Sequence, residues 1–358
     1  MEDLNVVMIG ATPDDVPILC ESQPTCWLCG RSGQITYTTL NDTVFGVPGT
    51  WQMRGCQSCG LLWLDPRPVQ TELPRLYHVY YTHTTPGPGN QRLASICQAI
   101  WRQIWSDLLG YPPAQLPIMY RIAIRMLQLI PAVSDSAILE VMGVHATWGT
   151  HLLDVGCGNG RYLAQMRALG WAVTGVEVDP IAAAQARTHF GLTVHTGTLN
   201  DVGFPPNSFD VVTISHVIEH VDDPLGLLRE CLRVLRPGGR VVITTPNSVS
   251  LGHRWFGAAW RGLEPPRHLM IFSPHALDRL VRQTGFQRVK LQTSGRLARS
   301  IYAASRINQA RVRGIAPPDD KKIRVKLQRY LFQSVEEFGR LLLNDIGEEI
   351  FYIGVKPL

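Results

Sequence analysis

The chain has 358 residues, 45% of them apolar and 18% charged, with a net charge of +5. That composition excludes a disordered polypeptide, and the length suits two or three domains with ample interior for one large core. No uninterrupted apolar run reaches the ~18 residues of a membrane span, and the start lacks the basic flank of an export signal, so a cytoplasmic location is expected.

The charge is uneven: residues 1–65 carry two arginines against seven acids, net −5, which leaves +10 for the remainder. Residues 1–24 show no periodicity and read as a partly ordered arm. Residues 25–81 form a candidate module around Cys26-Trp27-Leu28-Cys29-Gly30 and Cys56-Gln57-Ser58-Cys59-Gly60. Thiolates two residues apart grip one ion through a tight turn that the following glycine relieves. Two such turns supply four ligands, so Cys26, Cys29, Cys56 and Cys59 are expected to hold a structural zinc with a hairpin between them. In a chain without an export signal, paired cysteines favour metal over disulfides. Chance thiol pairs or a redox site are the alternatives.

Leu61 to Pro66 closes the module, and Tyr77, Tyr80 and Tyr81 follow. Thr82 to Asn90 is rich in Thr, Pro and Gly and reads as a linker. Within residues 82–148, Leu93 to Leu109 and Ile118 to Ile130 repeat at helical spacing. Packing over a sheet is the plain reading of these helices. A membrane-surface or lid role is the alternative, which leaves peripheral membrane contact open.

From residue 149 the pattern alternates strand and helix, as a doubly wound α/β sheet does. Strands are expected at 151–155, 172–177, 192–195, 209–215 and 240–245, then over Phe286 to Thr293 and Glu349 to Val355. Asp179-Pro180, Asp223-Pro224 and Ser273-Pro274 each place a capping side chain before a proline at a helix start. Residues 294–348 form a basic insertion, read as helical, whose partner is either solvent or something anionic.

The first strand runs into Leu152-Leu153-Asp154-Val155-Gly156-Cys157-Gly158-Asn159-Gly160, a glycine turn that lets a ligand approach bare backbone. Glu177 ends the next strand about 20 residues on, where an acid can bond ribose hydroxyls. This pattern resembles motif I and the acidic strand end of class I S-adenosylmethionine-dependent methyltransferases of the type 11/23 group. The resemblance implies a Rossmann-like sheet of seven strands, and it implies S-adenosyl-L-methionine as cofactor. Asp154, Gly156 and Gly158 would serve its methionine part, Glu177 the ribose, and Thr198 and Leu199 the adenine. The cysteine module with its Asp-Pro and later Tyr-Tyr resembles the ribbon that some bacterial methyltransferases carry ahead of the catalytic domain.

Past the fourth strand, His216, Glu219 and His220 should lie at the ligand crevice. His216 and His220, four apart, would share a helical face. With His268 in Pro265-Pro266-Arg267-His268-Leu269, they are the candidate bases. That last segment resembles a substrate-side loop, and Arg267 and His268 are expected to face an acceptor. His-x-x-Glu-His is also similar to the Glu-x-x-Glu-His of quinone-biosynthesis O-methyltransferases, which can hold a divalent ion. Here His216 replaces the first Glu, so a second metal stays open. The expected activity is O-methylation of a small-molecule or glycan hydroxyl. RNA methylation is the runner-up, disfavoured by the acidic module, so nucleic acid is not the expected partner. A non-catalytic cofactor-binding scaffold is the third reading.

Overall fold

Two nearly identical turns begin the described structure, a computed structural model that covers residues 6–9, 17–77, 91–319 and 321–358. Tyr80, Tyr81, the 82–90 linker, Asp320 and residues 1–5 and 10–16 of the arm lie outside the described residues. In the turns, the Gly30 amide donates to the Cys26 carbonyl at 2.8 Å, and the Gly60 amide to the Cys56 carbonyl at 2.8 Å. Around them lie β1 (Val6–Ile9), β2 (Ile18–Glu21), β3 (Gln34–Leu40), β4 (Trp51–Gly55), β5 (Leu62–Leu64) and β6 (Arg67–Pro68). The hairpin expected between the cysteine pairs is β3–β4, antiparallel. The described part of the arm contributes β1 and β2 to a small sheet with β6.

Helices α1 (Gln91–Leu109), α2 (Ile118–Leu127) and α3 (Pro131–Glu140) follow. Pro131 starts a new helix where the apolar repeat alone suggested one helix to Ile130. Trp105 and Tyr111 pack with Leu163 and Trp171 against one face of the main sheet.

The main sheet is built from β7 (His151–Val155), α4 (Arg161–Ala168), β8 (Ala172–Glu177), α5 (Pro180–Phe190), β9 (Val194–Thr196), α6 (Leu199–Val202), β10 (Phe209–Ser215), α7 (Pro224–Val234) and β11 (Leu235–Pro246). Then come α8 (Leu251–Phe256), β12 (Met270–Ile271), α9 (Pro274–Gln283), β13 (Gln287–Ser294), α10 (Ala298–Val312), α11 (Ile323–Leu342) and β14 (Glu349–Val355). Seven strands run in the order β13-β14-β11-β10-β7-β8-β9. β14 lies antiparallel between β11 and β13, while the other neighbours are parallel. This is the Rossmann-like α/β sheet that the alternation predicts. Asp179, Asp223 and Ser273 each accept a backbone amide at a helix start with proline following. The insertion is the helical hairpin α10–α11.

The cysteine module is not a separate bead. Its larger sheet has the order β12-β5-β4-β3, so a strand from beyond residue 269 completes it. The Ser273 hydroxyl donates to the Cys59 carbonyl at 2.7 Å, and the Ser248 hydroxyl to the Gly60 carbonyl at 2.8 Å. Trp51, Leu61 and Trp63 share one apolar cluster with Leu269, Phe272 and Leu277.

Arg267, expected to face an acceptor, is fully buried in this seam. It pairs with Asp42 at 2.9 Å and Glu264 at 3.1 Å, and its guanidinium lies 4.2 Å from the Phe45 ring centroid. Asp42 in turn accepts the Val44, Phe45 and Val47 amides at 3.0 Å, which shapes the β3–β4 loop. Removing one member of a buried pair leaves the others charged and dry. Arg267→Ala should therefore cost about 3–5 kcal/mol in urea unfolding. Limited proteolysis should then cut the β3–β4 loop first, whereas an unchanged midpoint would refute the seam.

Candidate active site

β7 ends at Asp154 and Val155, and the chain turns through Gly156, Gly158 and Gly160 with φ of 73°, 54° and 82°. L-residues avoid that left-handed backbone, and a β-carbon on Gly156 would collide with Val217. The neighbouring strand holds the turn in place. The Gly156 and Cys157 amides donate to the Val176 carbonyl at 2.8 and 3.1 Å. The Gly158 amide donates to Glu177 Oε2 at 2.7 Å.

Glu177 Oε1 accepts the Asp179 amide at 2.9 Å. A carboxylate has about four acceptor positions, so both oxygens retain capacity for ligand hydroxyls. Burial raises its pKa, and burial likewise lifts Asp154 to about 7 despite the Thr213 hydroxyl donated to it at 2.7 Å. Thr198 caps α6, its amide and hydroxyl both engaged by Asp201. Leu199 is buried in the core.

The helical face expected for His216 and His220 does not form. His216 takes φ 52°, and the His220 amide donates to Val217 within a turn. The rings therefore part. His216 Nε2 lies 2.8 Å from Glu349 Oε1, and its Nδ1 lies 3.3 Å from Glu219 Oε1. Burial opposes its charge, but the two carboxylates outweigh that and lift its pKa to about 10. Both ring nitrogens thus face carboxylates, a placement that fits a structural partner better than the base expected for His216 from the sequence.

His220 turns the other way. Its Nδ1 lies 3.0 Å from the Tyr77 hydroxyl and 3.0 Å from the Arg267 carbonyl. Its ring meets His268 edge-on at 4.6 Å. His268 is buried with Nδ1 2.7 Å from the Gly262 carbonyl, a contact that needs the proton on Nδ1. Burial and the neighbouring His220 push its pKa down to about 4, so the ring is neutral. Glu219 is fully buried, accepts the Thr245 hydroxyl at 2.9 Å, and is held at about 2 because His216 overcomes its burial. One ligand atom each of Glu219, His220 and His268 lies within 4.8 Å of the others. Tyr77, Thr213, Thr245 and Glu349 complete these contacts without any motif having marked them as partners.

The four sulfurs of Cys26, Cys29, Cys56 and Cys59 also lie within 4.8 Å of one another. Cys26 and Cys59 are 3.7 Å apart, and Cys29 and Cys56 are 3.4 Å apart. A tetrahedron with ~2.3 Å metal–sulfur bonds has edges of about 3.8 Å, so this set fits one ion. The contact between Cys26 and Cys59 lowers the first and raises the second, as two thiols sharing one proton do. A thiolate at that corner suits a metal ligand.

Residues 125–291 match the family model described as a methyltransferase domain. This bears out the resemblance over the stretch that holds the glycine turn and the histidines. A ubiquinone biosynthesis O-methyltransferase of Cereibacter sphaeroides is 36% identical over 152 residues, 39% of this chain and 62% of that protein. One from Sodalis glossinidius is 37% identical over 116 residues, 31% of this chain and 46% of its own length. The chain thus spans less than two thirds of the length of these curated relatives. The solved structure of a SAM dependent methyltransferase from Archaeoglobus fulgidus aligns with a TM-score of 0.41 at 21% identity, over 64% of this chain and 94% of that one.

The His216 contacts imply a pH dependence. With its folded pKa raised from ordinary imidazole to about 10, its stabilisation is complete below ~6.5 and lost as pH rises toward 10. His216→Gln should be roughly 2–4 kcal/mol less stable at pH 6, and the gap should close by pH 10 in urea titrations. A gap independent of pH would contradict the charged assignment.

Proposed function

We propose that this chain is an S-adenosyl-L-methionine-dependent O-methyltransferase acting on a small-molecule or glycan hydroxyl, with zinc in the four-cysteine site. The observation that carries the reading is the glycine turn locked onto Glu177 by the Gly158 amide. The strand next to β7, β10, leads from its end to the His220–His268 pair. The family match and the quinone-pathway relatives support the same chemistry.

The donor set fits the cofactor. Glu177 offers acceptor oxygens for ribose hydroxyls, and the bare turn at 156–160 admits the methionine end beside Asp154. Thr198 and Leu199, after β9, would lie on the adenine side. When bound, the cofactor would supply a methyl group on a sulfonium, its C–S bond breaking as the O–C bond forms and leaving a neutral thioether. The residues supply position and proton removal. His220 takes the proton from the acceptor hydroxyl as the O–C bond forms. Tyr77 and the Arg267 carbonyl hold that ring, and neutral His268 packs against it without adding charge. A second reading follows from the convergence of Glu219, His220 and His268: a divalent ion there would polarise the acceptor hydroxyl.

Glu177→Ala should weaken cofactor binding by ~1–3 kcal/mol in calorimetry, the usual cost of lost charge-assisted hydrogen bonds. Gly156→Val should abolish it, and unchanged affinity in both variants would refute the placement. With labelled cofactor and extracts of the native host, mass spectrometry should identify a methylated hydroxyl. On that acceptor, His220→Ala should lower turnover about 10²–10⁴-fold while cofactor affinity stays. Wild-type turnover in this variant would dismiss His220, and a chelator-sensitive activity with zinc retained would favour the divalent ion.

Elemental analysis should give about one zinc per chain, lost in a Cys56→Ser, Cys59→Ser variant. Because β12 closes the module's sheet, stripping the metal should also weaken cofactor binding through the 264–268 segment. Full zinc in that variant would sink the assignment.

A further inference from the structure

The insertion presents an apolar face that no described residue covers. Along α11, Ile323, Leu327, Leu331, Phe338 and Leu342 are 71%, 61%, 65%, 66% and 73% exposed. Their spacing puts them on one side of a helix about 30 Å long, opposite buried Phe332 and Glu336. A soluble helix of this kind normally turns such a stripe inward. On α2, Ile118, Met119, Ile122 and Met126 are exposed as well. The Arg340–Asp135 ion pair at 2.8 Å ties the end of α11 to α3, the helix that directly follows α2.

The exposed charges on α11 itself have one sign, although Asp319 precedes it and Asp107 pairs with Arg125 of α2 at 3.3 Å. Lys321, Lys322, Arg324 and Lys326 are exposed at the start of α11. Its two acids both turn inward, Glu336 buried and Glu337 paired with Arg340 at 2.7 Å. Residues 118–130 contain two arginines and no acid. Two copies of the chain meeting through α11 would bring cations together with no exposed carboxylate on either helix to pair them. No single described helix is long and apolar enough to cross a membrane, and α2 with α3 reaches that length and composition only as a pair bent by 104°. The α11 face, with its basic start, suits lying along a bilayer.

We propose that the α11 face, with α2, docks this protein on an anionic lipid surface. The apolar stripe enters the headgroup boundary, and the lysines and arginines beside it meet lipid phosphates. The inference does not depend on methyl transfer, since it concerns residues outside the candidate active site.

The test is co-sedimentation of the full chain with vesicles of phosphatidylcholine alone and of phosphatidylcholine mixed with phosphatidylglycerol. No cofactor or acceptor is added, so the outcome is independent of the enzymatic reading. Binding should be about tenfold or more stronger to the mixed vesicles, and it should fall as salt screens the cations. Leu327→Glu with Phe338→Glu should abolish it without changing the melting temperature, and Lys322→Glu with Lys326→Glu should remove the preference for phosphatidylglycerol. If the glutamate pair impairs folding, Leu327→Ser with Phe338→Ser replaces it and should weaken binding in the same direction. Equal binding to both vesicle types, no binding, or binding indifferent to the α11 substitutions would overturn the proposal. So would a dimer in solution that the α11 substitutions dissolve.

Discussion

A single guanidinium determines how the two halves of this protein meet. Arg267 is buried without contact to bulk water, and a charge in that position must be matched. Its partners come from opposite sides, Asp42 from the module's hairpin loop and Glu264 from the segment after the main sheet's β11. Glu264 also lies 3.8 Å from His268 Nε2, and the Arg267 carbonyl touches His220. The loop geometry of the cysteine module is therefore coupled to the placement of both imidazoles. Tyr77, at the end of the module, adds a hydroxyl to the same ring. The module is a wall of the candidate site.

Three histidines and three carboxylates in this region are sorted by surroundings. His216 lies between Glu219 and Glu349, which favour its charged form, and Arg296 adds a positive partner to Glu349 at 3.0 Å. His268 has a carbonyl at one nitrogen, and burial together with His220 outweighs the nearby Glu264 and Glu219 to favour its neutral form. Environments that push like residues toward opposite protonation states are how a fold separates structural from chemical roles. His220, half-buried, is held at Nδ1 by the Tyr77 hydroxyl and the Arg267 carbonyl, with Glu219 and His268 nearby.

Much of this was legible in the chain because it is local. The glycine turn, the acid ending the next strand, the capped helix starts and the two cysteine turns are each written within a few residues, and backbone sterics translate them directly. The shortfall lay in long-range pairing. Nothing near Arg267 announces Asp42, and nothing near His216 announces Glu349, since neither partner shares an element with it. The Pro-Pro-Arg-His-Leu segment therefore looked like a surface for substrate when it is a seam between sheets. His216 and His220 misled for a related reason: a four-residue spacing implies a common face only inside a helix, and this turn puts His216 in a left-handed conformation. The small sheet of β1, β2 and β6 was hidden because its strands are too short to show alternation.

The strand that completes the module has a consequence for how the chain is made. All four cysteines lie within the first sixty residues and leave the ribosome early, but β5 gains its outer neighbour only when Met270 and Ile271 arrive. The Ser273–Cys59 bond spans 214 residues, the Ser248–Gly60 bond 188. Closing loops of that size is entropically slow to initiate, and until then β5 is an open strand edge with Leu62 and Leu64 on it. The nascent module passes most of synthesis as a template awaiting its own later segment. Its metal can order the two turns early, yet its sheet is finished by the domain it precedes.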